Sequence, residues 1–239
     1  MTSISVFFPC YNDAKTIAKL IATARKQLKK ITRKWEIIVI DDGSTDDSRK
    51  VLTKLSKKNK DLKVVFHPKN RGYGGVLQTG FKTSKNDLVF YTDGDGQYDV
   101  GELPILFHLM SADISFVNGI KMSRQDYSYR VIIGNLYAFT MRWMFLLKVH
   151  DVDCDFRLIR KSIVKQVHLT CNSGAVCVEL VKKAQLAGAK FRHVGVHHYE
   201  RGHGHSQFFR LDRIVHTAAE LVVLWINIML SKKWNAKNT

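Results

Sequence analysis

Apolar residues in the first part of the chain fall into short runs separated by amphipathic stretches. Residues 3–9, 35–40, 62–66 and 87–91 form the runs, and the second holds the β-branched series Ile37, Ile38, Val39, Ile40. Between the first two runs, Ile17, Leu20, Ile21, Ala24 and Leu28 recur at helical spacing and predict an amphipathic helix over 13–30. Residues 45–58 predict a second helix, with Asp46 and Asp47 in its first turn, where the helix dipole favours negative charge. A short helix is predicted over 75–83. Strands alternating with helices of this length imply βαβ units and a mainly parallel sheet. Continuous rather than alternating apolar runs suit strands covered on both faces.

The second half is less regular. Residues 101–110, 130–147 and 178–187 read as helices, and 112–117, 154–160 and 190–198 as strands. No repeat, Pro/Ser linker or shift in composition divides the chain, so residues 1–211 are expected to form one domain. Residues 212–230 are apolar almost all round, interrupted by His216, Glu220 and Asn227. The uninterrupted part is shorter than the ~20 residues a membrane span needs. Lys232, Lys233 and Trp234 follow it, like the basic and aromatic flank of a membrane interface. Residues 212–239 are therefore expected to form an interfacial helix, with a buried core or dimer helix and a true span as alternatives.

Charge narrows the partners. Lys and Arg total 38 against 21 Asp and Glu, a formal net charge of +17. Such a surface attracts anionic lipid, phosphorylated substrates or nucleic acid. Zinc-finger, RNP-like and basic-zipper patterns are missing, which disfavours nucleic acid. Lys54, Lys57, Lys58 and Lys60 read as a solvated face. Cys10, Cys154, Cys171 and Cys177 make no C-x-x-C pair and no zinc spacing. With a start that lacks a secretory pattern, they are expected to be reduced thiols of a cytosolic protein, Cys171 and Cys177 in the core.

Ligands of a parallel α/β sheet sit outside the carboxyl ends of its strands, and three predicted ends carry suggestive residues. They read Pro9-Cys10-Tyr11-Asn12-Asp13, Asp41-Asp42-Gly43-Ser44-Thr45-Asp46 and Thr92-Asp93-Gly94-Asp95-Gly96-Gln97. Asp93 and Asp95 flank a glycine, and two such carboxylates repel unless a cation or proton lies between them. A hard divalent ion that keeps room for substrate phosphates resolves this. A calcium EF-hand loop starting at Asp93 is excluded, since Tyr98 stands where its Gly belongs and Pro104 where its Glu belongs. The P-loop and the dinucleotide G-x-G-x-x-G fingerprint are both missing. Arg71-Gly72-Tyr73-Gly74-Gly75 either lets backbone approach a diphosphate or simply begins a helix.

The segments SVFFPCYNDAKTI, IIVIDDGSTDDS, NRGYGGVLQTGF and FYTDGDGQYD, in this order and spacing, resemble glycosyltransferase family 2. The resemblance implies a GT-A fold, a nucleotide-sugar donor, Mg²⁺ or Mn²⁺, and inversion at the anomeric carbon. It implies that Pro9, Tyr11, Asn12 and Asp41 line the nucleoside pocket, with Asp42 beside it and Gly72 near the donor. Asp93 and Asp95 match the metal and diphosphate motif, with Gln97 alongside. DVDCDFRLIR, the helix around Glu179 and HHYERGHGHSQFFR look like polyprenyl-phosphate sugar synthases of the dolichyl-phosphate mannose or glucose type.

The chemistry of that subgroup is self-consistent. A hydroxyl acceptor needs a general base, whereas a lipid phosphate is already an anionic nucleophile and needs cations to hold it. Lys121, Arg124, Arg130, Arg201 and His203 are candidates, with Arg130 and Arg201 foremost by their place in the resembling segments, and Ser206 adds a hydroxyl. The expected activity is transfer from a UDP- or GDP-sugar to a polyprenyl phosphate on the cytoplasmic face of a membrane. The tail helix, the basic surface, a membrane-protein partner or self-association would hold the enzyme there. The alternative enzyme is a soluble transferase acting on a saccharide or protein hydroxyl, with Asp155 as its base. His197, His198, His203 and His205 cluster, but no carboxylate or thiol stands at a recognised zinc spacing.

Overall fold

The computed structural model describes residues 2–124, 128–200 and 211–230, and the backbone alone over 123–124 and 128–132. Its centre is a seven-stranded sheet of order β3-β2-β1-β4-β6-β5-β7. The strands are β1 (Ile4–Cys10), β2 (Trp35–Asp41), β3 (Leu62–Phe66), β4 (Leu88–Thr92), β5 (Phe116–Arg124), β6 (Phe156–Arg160) and β7 (Phe191–His198). All neighbouring pairs run parallel except those made by β6, which is antiparallel to both β4 and β5. β1 is buried along its whole length. Alternate residues feed two cores: Phe7, Ile38 and Ile40 face one side, Val6, Phe8, Ile37 and Val39 the other.

One face is covered by α1 (Ile17–Ile31), α2 (Ser48–Lys58) and α4 (Leu103–Leu109), the last preceded by a 3₁₀ turn, Val100–Glu102. The other carries α3 (Gly72–Thr83), α5 (Ser128–Phe145), the single turn α6 (Lys161–Val164), α7 (Ala175–Leu186) and α8 (Leu211–Trp225). A π-helical turn, Ile226–Leu230, prolongs α8.

Several expected boundaries move, each for a local reason. The second helix begins at Ser48 rather than 45, because Asn12 Oδ1 accepts from the amides of Thr45 (2.8 Å) and Asp46 (3.3 Å) and holds them in a turn. Asp46 and Asp47 thus precede the helix instead of filling its first turn. The strand expected over 112–117 is β5, displaced to Phe116–Arg124. Its polar half escaped notice because Asn118, wholly buried, is satisfied by a buried arginine rather than by apolar neighbours.

The tail forms one continuous helix, Leu211–Leu230, of 20 residues and mean hydropathy 1.5. By length and composition it is the one helix among the described residues able to cross a membrane. Thr217, Leu221, Leu224 and Ile228 face the core, while Leu211, Val215, Val222, Val223 and Leu230 are exposed. Trp225 Nε1 donates to Met144 O at 2.9 Å, seating α8 against α5. α5 has its own exposed apolar row in Leu136, Phe139 and Trp143. All four cysteines are buried and unpaired.

Candidate active site

Because β1, β2 and β4 are parallel, their three acidic or polar turns meet at one edge. Backbone bonds fasten the turns together: Asp42 N to Cys10 O at 2.9 Å and His67 N to Asp41 O at 2.8 Å. Asn12 adopts the left-handed conformation (φ 61°), and its amide donates to Ser44 Oγ at 3.0 Å. It therefore stitches the first turn to the second. Tyr11 N is held by Asp13 Oδ2 at 3.0 Å. Pro9 is buried against the third turn, where a Cβ on Gly94 would lie 2.3 Å from Pro9 O. Only glycine fits between the two aspartates.

Asp41 is fully buried. Its Oδ1 accepts from Ser44 N (3.3 Å) and Arg49 Nε (2.8 Å), while Oδ2 has no hydrogen-bond partner among the described residues. An unpaired buried acceptor costs about 1–3 kcal/mol. Asp42 has a different task. His67 Nδ1 lies 2.7 Å from its Oδ1, and the amides of Arg71 and Gly72 donate to it at 2.9 and 3.1 Å. It fixes the start of α3. Gly72 has φ 76°, and a Cβ there would lie 2.4 Å from Asn172 O; at Gly74 it would lie 1.9 Å from Cys171 O. Both glycines are thus required by the close approach of residues 170–173.

Asp93 and Asp95 stand just past β4. Tyr73 Oη donates to Asp93 Oδ1 at 2.7 Å. Burial, with Asp155 and Asp93 nearby, pushes this phenol well above its usual range, so it remains a donor. Asp95 is 8% exposed, and its Oδ1 accepts from Gln97 N at 3.0 Å. Gln97, expected beside the metal, points its side-chain amide to Tyr199 O at 3.1 Å, and Tyr199 N donates back to Gln97 O at 2.8 Å. Hard carboxylate oxygens on a tight turn fit Mg²⁺ or Mn²⁺. No group of three or more His, Cys, Asp or Glu with metal-site geometry occurs among the described residues.

The end of β5 and residues 151–155 border the same edge. Lys121 Nζ donates to Asp153 O at 2.8 Å and lies 4.0 Å from Asp151 Oδ1. Burial, reinforced by Asp151 and Asp155 against the pull of Lys121, lifts the Asp153 carboxyl to about 6. Asp155 is buried: Tyr91 Oη donates to it at 3.1 Å, Cys177 Sγ at 3.4 Å, and Arg157 Nη1 lies 3.3 Å away. It belongs to an internal network rather than to an acceptor pocket. Arg124 pairs with His198 in the β5–β7 register, and Arg130 is on α5; their side chains lie outside the described residues. Arg201, His203, His205 and Ser206 also lie outside them.

Sequence reasoning missed Tyr73, Asp153 and Arg157. A signal existed for two of them: Asp151, Asp153, Asp155 and Arg157 recur at every second position, a strand-like alternation of charge where apolar residues belong.

A mainly parallel sheet with one antiparallel strand and acidic turns after β1, β2 and β4 is the GT-A class of fold. Solved structures of Mycobacterium tuberculosis glucosyl-3-phosphoglycerate synthase share it. The complex with Mn²⁺, UDP and phosphoglyceric acid is 18% identical with a TM-score of 0.69, over 95% of this chain and 78% of that one. The complex with Mn²⁺ and UDP-glucose is 17% identical with a TM-score of 0.68, over the same shares. The family model of glycosyl transferase family 2 matches residues 5–167, and the chain belongs to that family. Its relatives include the undecaprenyl-phosphate 4-deoxy-4-formamido-L-arabinose transferases of Yersinia pestis (strain Pestoides F) and Yersinia pseudotuberculosis (serotype O:3, strain YPIII). Each is 27% identical over 221 residues, 92% of this chain. The chain spans 66% of the length of these relatives.

Proposed function

We propose that this protein is an inverting glycosyltransferase that moves a sugar from a UDP- or GDP-sugar to a polyprenyl phosphate at a membrane surface. The observation that carries the reading is the meeting of Asp41, Asp93 and Asp95 at one sheet edge, with a buried Asp41 oxygen that has no donor among the described residues. The likeness to transferases named for undecaprenyl phosphate supports the acceptor class.

In this reading Asp41 Oδ2 takes an N–H or O–H of the nucleoside. Asp93 and Asp95 hold the metal, which neutralises the diphosphate when bound. Tyr73 keeps Asp93 aimed. Lys121, with Arg130 and Arg201, holds the acceptor phosphate beside the anomeric carbon. A phosphate oxygen forms the new bond to C1 as the C1–O bond to the nucleoside diphosphate breaks on the opposite face. The leaving group keeps the electron pair, the configuration inverts, and no proton needs removing from the nucleophile. The assay is sugar transfer from UDP-glucose, UDP-N-acetylglucosamine, UDP-galactose and GDP-mannose, with Mn²⁺ or Mg²⁺ and a short polyprenyl phosphate in detergent. Chelator-sensitive lipid product supports the reading, and donor hydrolysis without lipid product removes the lipid acceptor from it.

Asp41→Asn replaces one carboxylate oxygen by an amide and is expected to weaken nucleotide binding about 10–100-fold. Calorimetric titration with UDP and GDP checks this, and unchanged affinity would remove Asp41 from the nucleoside pocket.

Asp153 keeps a second reading open. A carboxyl lifted to about 6 at this edge would serve as base toward a saccharide or protein hydroxyl. Transfer to water-soluble acceptors without lipid or detergent separates the two.

The exposed apolar sides of α5 and α8 suit peripheral insertion into a bilayer whose anionic headgroups meet the basic surface. Glutamates at Val222 and Val223, both more than half exposed, are expected to cut cosedimentation with phosphatidylglycerol vesicles at least about tenfold without lowering the melting temperature. Vesicle binding equal to that of the unaltered protein would end the assignment of α8 to the membrane.

A further inference from the structure

Glu220 is the one charged residue between Thr217 and Ile226 of the tail helix, its side chain 19% exposed. Its carboxylate takes three donors from one loop: Asn172 N at 2.9 Å, Ser173 N at 2.9 Å and Ser173 Oγ at 2.6 Å. The preceding two amides of that loop go to another carboxylate. Glu179 accepts from Thr170 N at 2.9 Å and Cys171 N at 2.9 Å. Four successive amides are thus captured by two side chains, one from α7 and one from α8.

With its amides turned to these carboxylates, the loop presents its carbonyls to α3. Asn172 O accepts from Gly74 N at 3.0 Å, and Cys171 O accepts from Gln78 Nε2 at 3.3 Å. The fit leaves no room for a Cβ at Gly72 or Gly74, so the position of the loop fixes that of the Gly72–Gly74 turn. Between those glycines stands Tyr73, whose hydroxyl donates to Asp93.

We propose that Glu220 is a positioning residue of the donor site: it holds the 170–173 loop against α3 and, through Tyr73, sets the orientation of Asp93. This rests on the reading above that Asp93 serves the metal and diphosphate. It also makes α8 a strut whose seating controls donor binding, so the helix proposed to meet the membrane is joined to the chemistry through the Glu220 side chain. The contact is polar and directional, unlike the apolar packing of Leu221 and Leu224 beside it. A carboxylate is needed because it alone offers both oxygens as acceptors without bringing a donor of its own.

The test measures Mn²⁺-dependent binding of UDP and GDP by calorimetry, and donor and acceptor KM with kcat, in four proteins. These are the unaltered chain, Glu220→Gln, Tyr73→Phe and the double variant. Glu220→Gln keeps the shape and one acceptor; Tyr73→Phe keeps the ring and leaves α8 untouched. Each single change is expected to weaken metal–nucleotide binding about tenfold and raise the donor KM alike, with the acceptor KM unmoved. The double variant is expected to lose no more than the worse single one, because both act on the same aspartate. Nucleotide binding by Glu220→Gln equal to that of the unaltered chain, an acceptor KM that moves with the donor KM, or additive losses in the double variant would overturn the proposal. If the unaltered chain binds neither nucleotide, the functional reading falls with it; the other outcomes sink this inference alone.

Discussion

Asp95→Ala is expected to lower metal-dependent sugar transfer by about 10³-fold while the protein still folds. The size follows from the proposed role. A nucleoside diphosphate leaves with its full negative charge, and a metal held on Asp93 and Asp95 would supply the positive counter-charge at the β4 end. Retention of the fold follows from the contacts. Asp95 stands on a turn just past β4, outside the strand ladder, and the Gln97 amide that its Oδ1 accepts is worth about 1 kcal/mol. Asp95→Asn separates charge from shape: it can still cap the Gln97 amide but does not supply the anionic ligand. Transfer is expected to fall nearly as far in Asp95→Asn as in Asp95→Ala, with melting temperatures close to that of the unaltered chain. Product formation assayed over a Mn²⁺ series makes the comparison. Full activity in either variant, or activity indifferent to chelation in the unaltered chain, would remove the metal from the mechanism.

How far the sequence foretold this site follows from the range of the interactions involved. The strands of the first half were legible because apolar runs report burial on both faces, and parallel pairing then brings three acidic turns to one edge. In this way the sequence placed Asp41, Asp93 and Asp95 at one sheet edge, each as the local consequence of a strand ending. Tyr73 was not, since its meeting with Asp93 depends on how α3 sits against β4, and the tyrosine lies among glycines that drew attention to backbone freedom. The surroundings of Asp155, named as the base of the alternative transferase, were hidden for a similar reason. Its neighbours Tyr91, Arg157 and Cys177 come from β4, β6 and α7, and their convergence has no local pattern. Glu220 looked like an interruption of an apolar helix; only the course of the 170–173 loop explains it. The polar residues that interrupt the tail lie within one 20-residue helix, whose Thr217, Leu221, Leu224 and Ile228 face the core.

Arg157→Ala is expected to destabilise the protein by about 3–5 kcal/mol, the largest stability loss of any single change considered. Arg157 heads the fully buried side chains by size. Its Nε donates to Asn118 Oδ1 at 2.9 Å, Nη1 to Tyr91 Oη at 2.7 Å and Nη2 to Val152 O, with Asp155 Oδ1 3.3 Å from Nη1. Every one of these partners is itself buried. Deleting the guanidinium would therefore strand a carboxylate, an amide oxygen and a carbonyl in a region of low polarity, besides opening a cavity. The consequence reaches the site, because Val152 and Asp155 bracket Asp153, and Asn118 Nδ2 donates to Asp151 O at 2.9 Å. Arg157→Lys preserves the charge opposite Asp155 but lacks the planar fork that serves three acceptors at once, and an intermediate loss of about 1–3 kcal/mol is expected. Urea unfolding gives both numbers. A loss below about 1 kcal/mol in Arg157→Ala would mean that the 151–155 segment is held by packing alone. Losses in the expected order would show a charged residue in the core serving the same end as the apolar strands around it, which is to keep the acidic edge of the sheet in one shape.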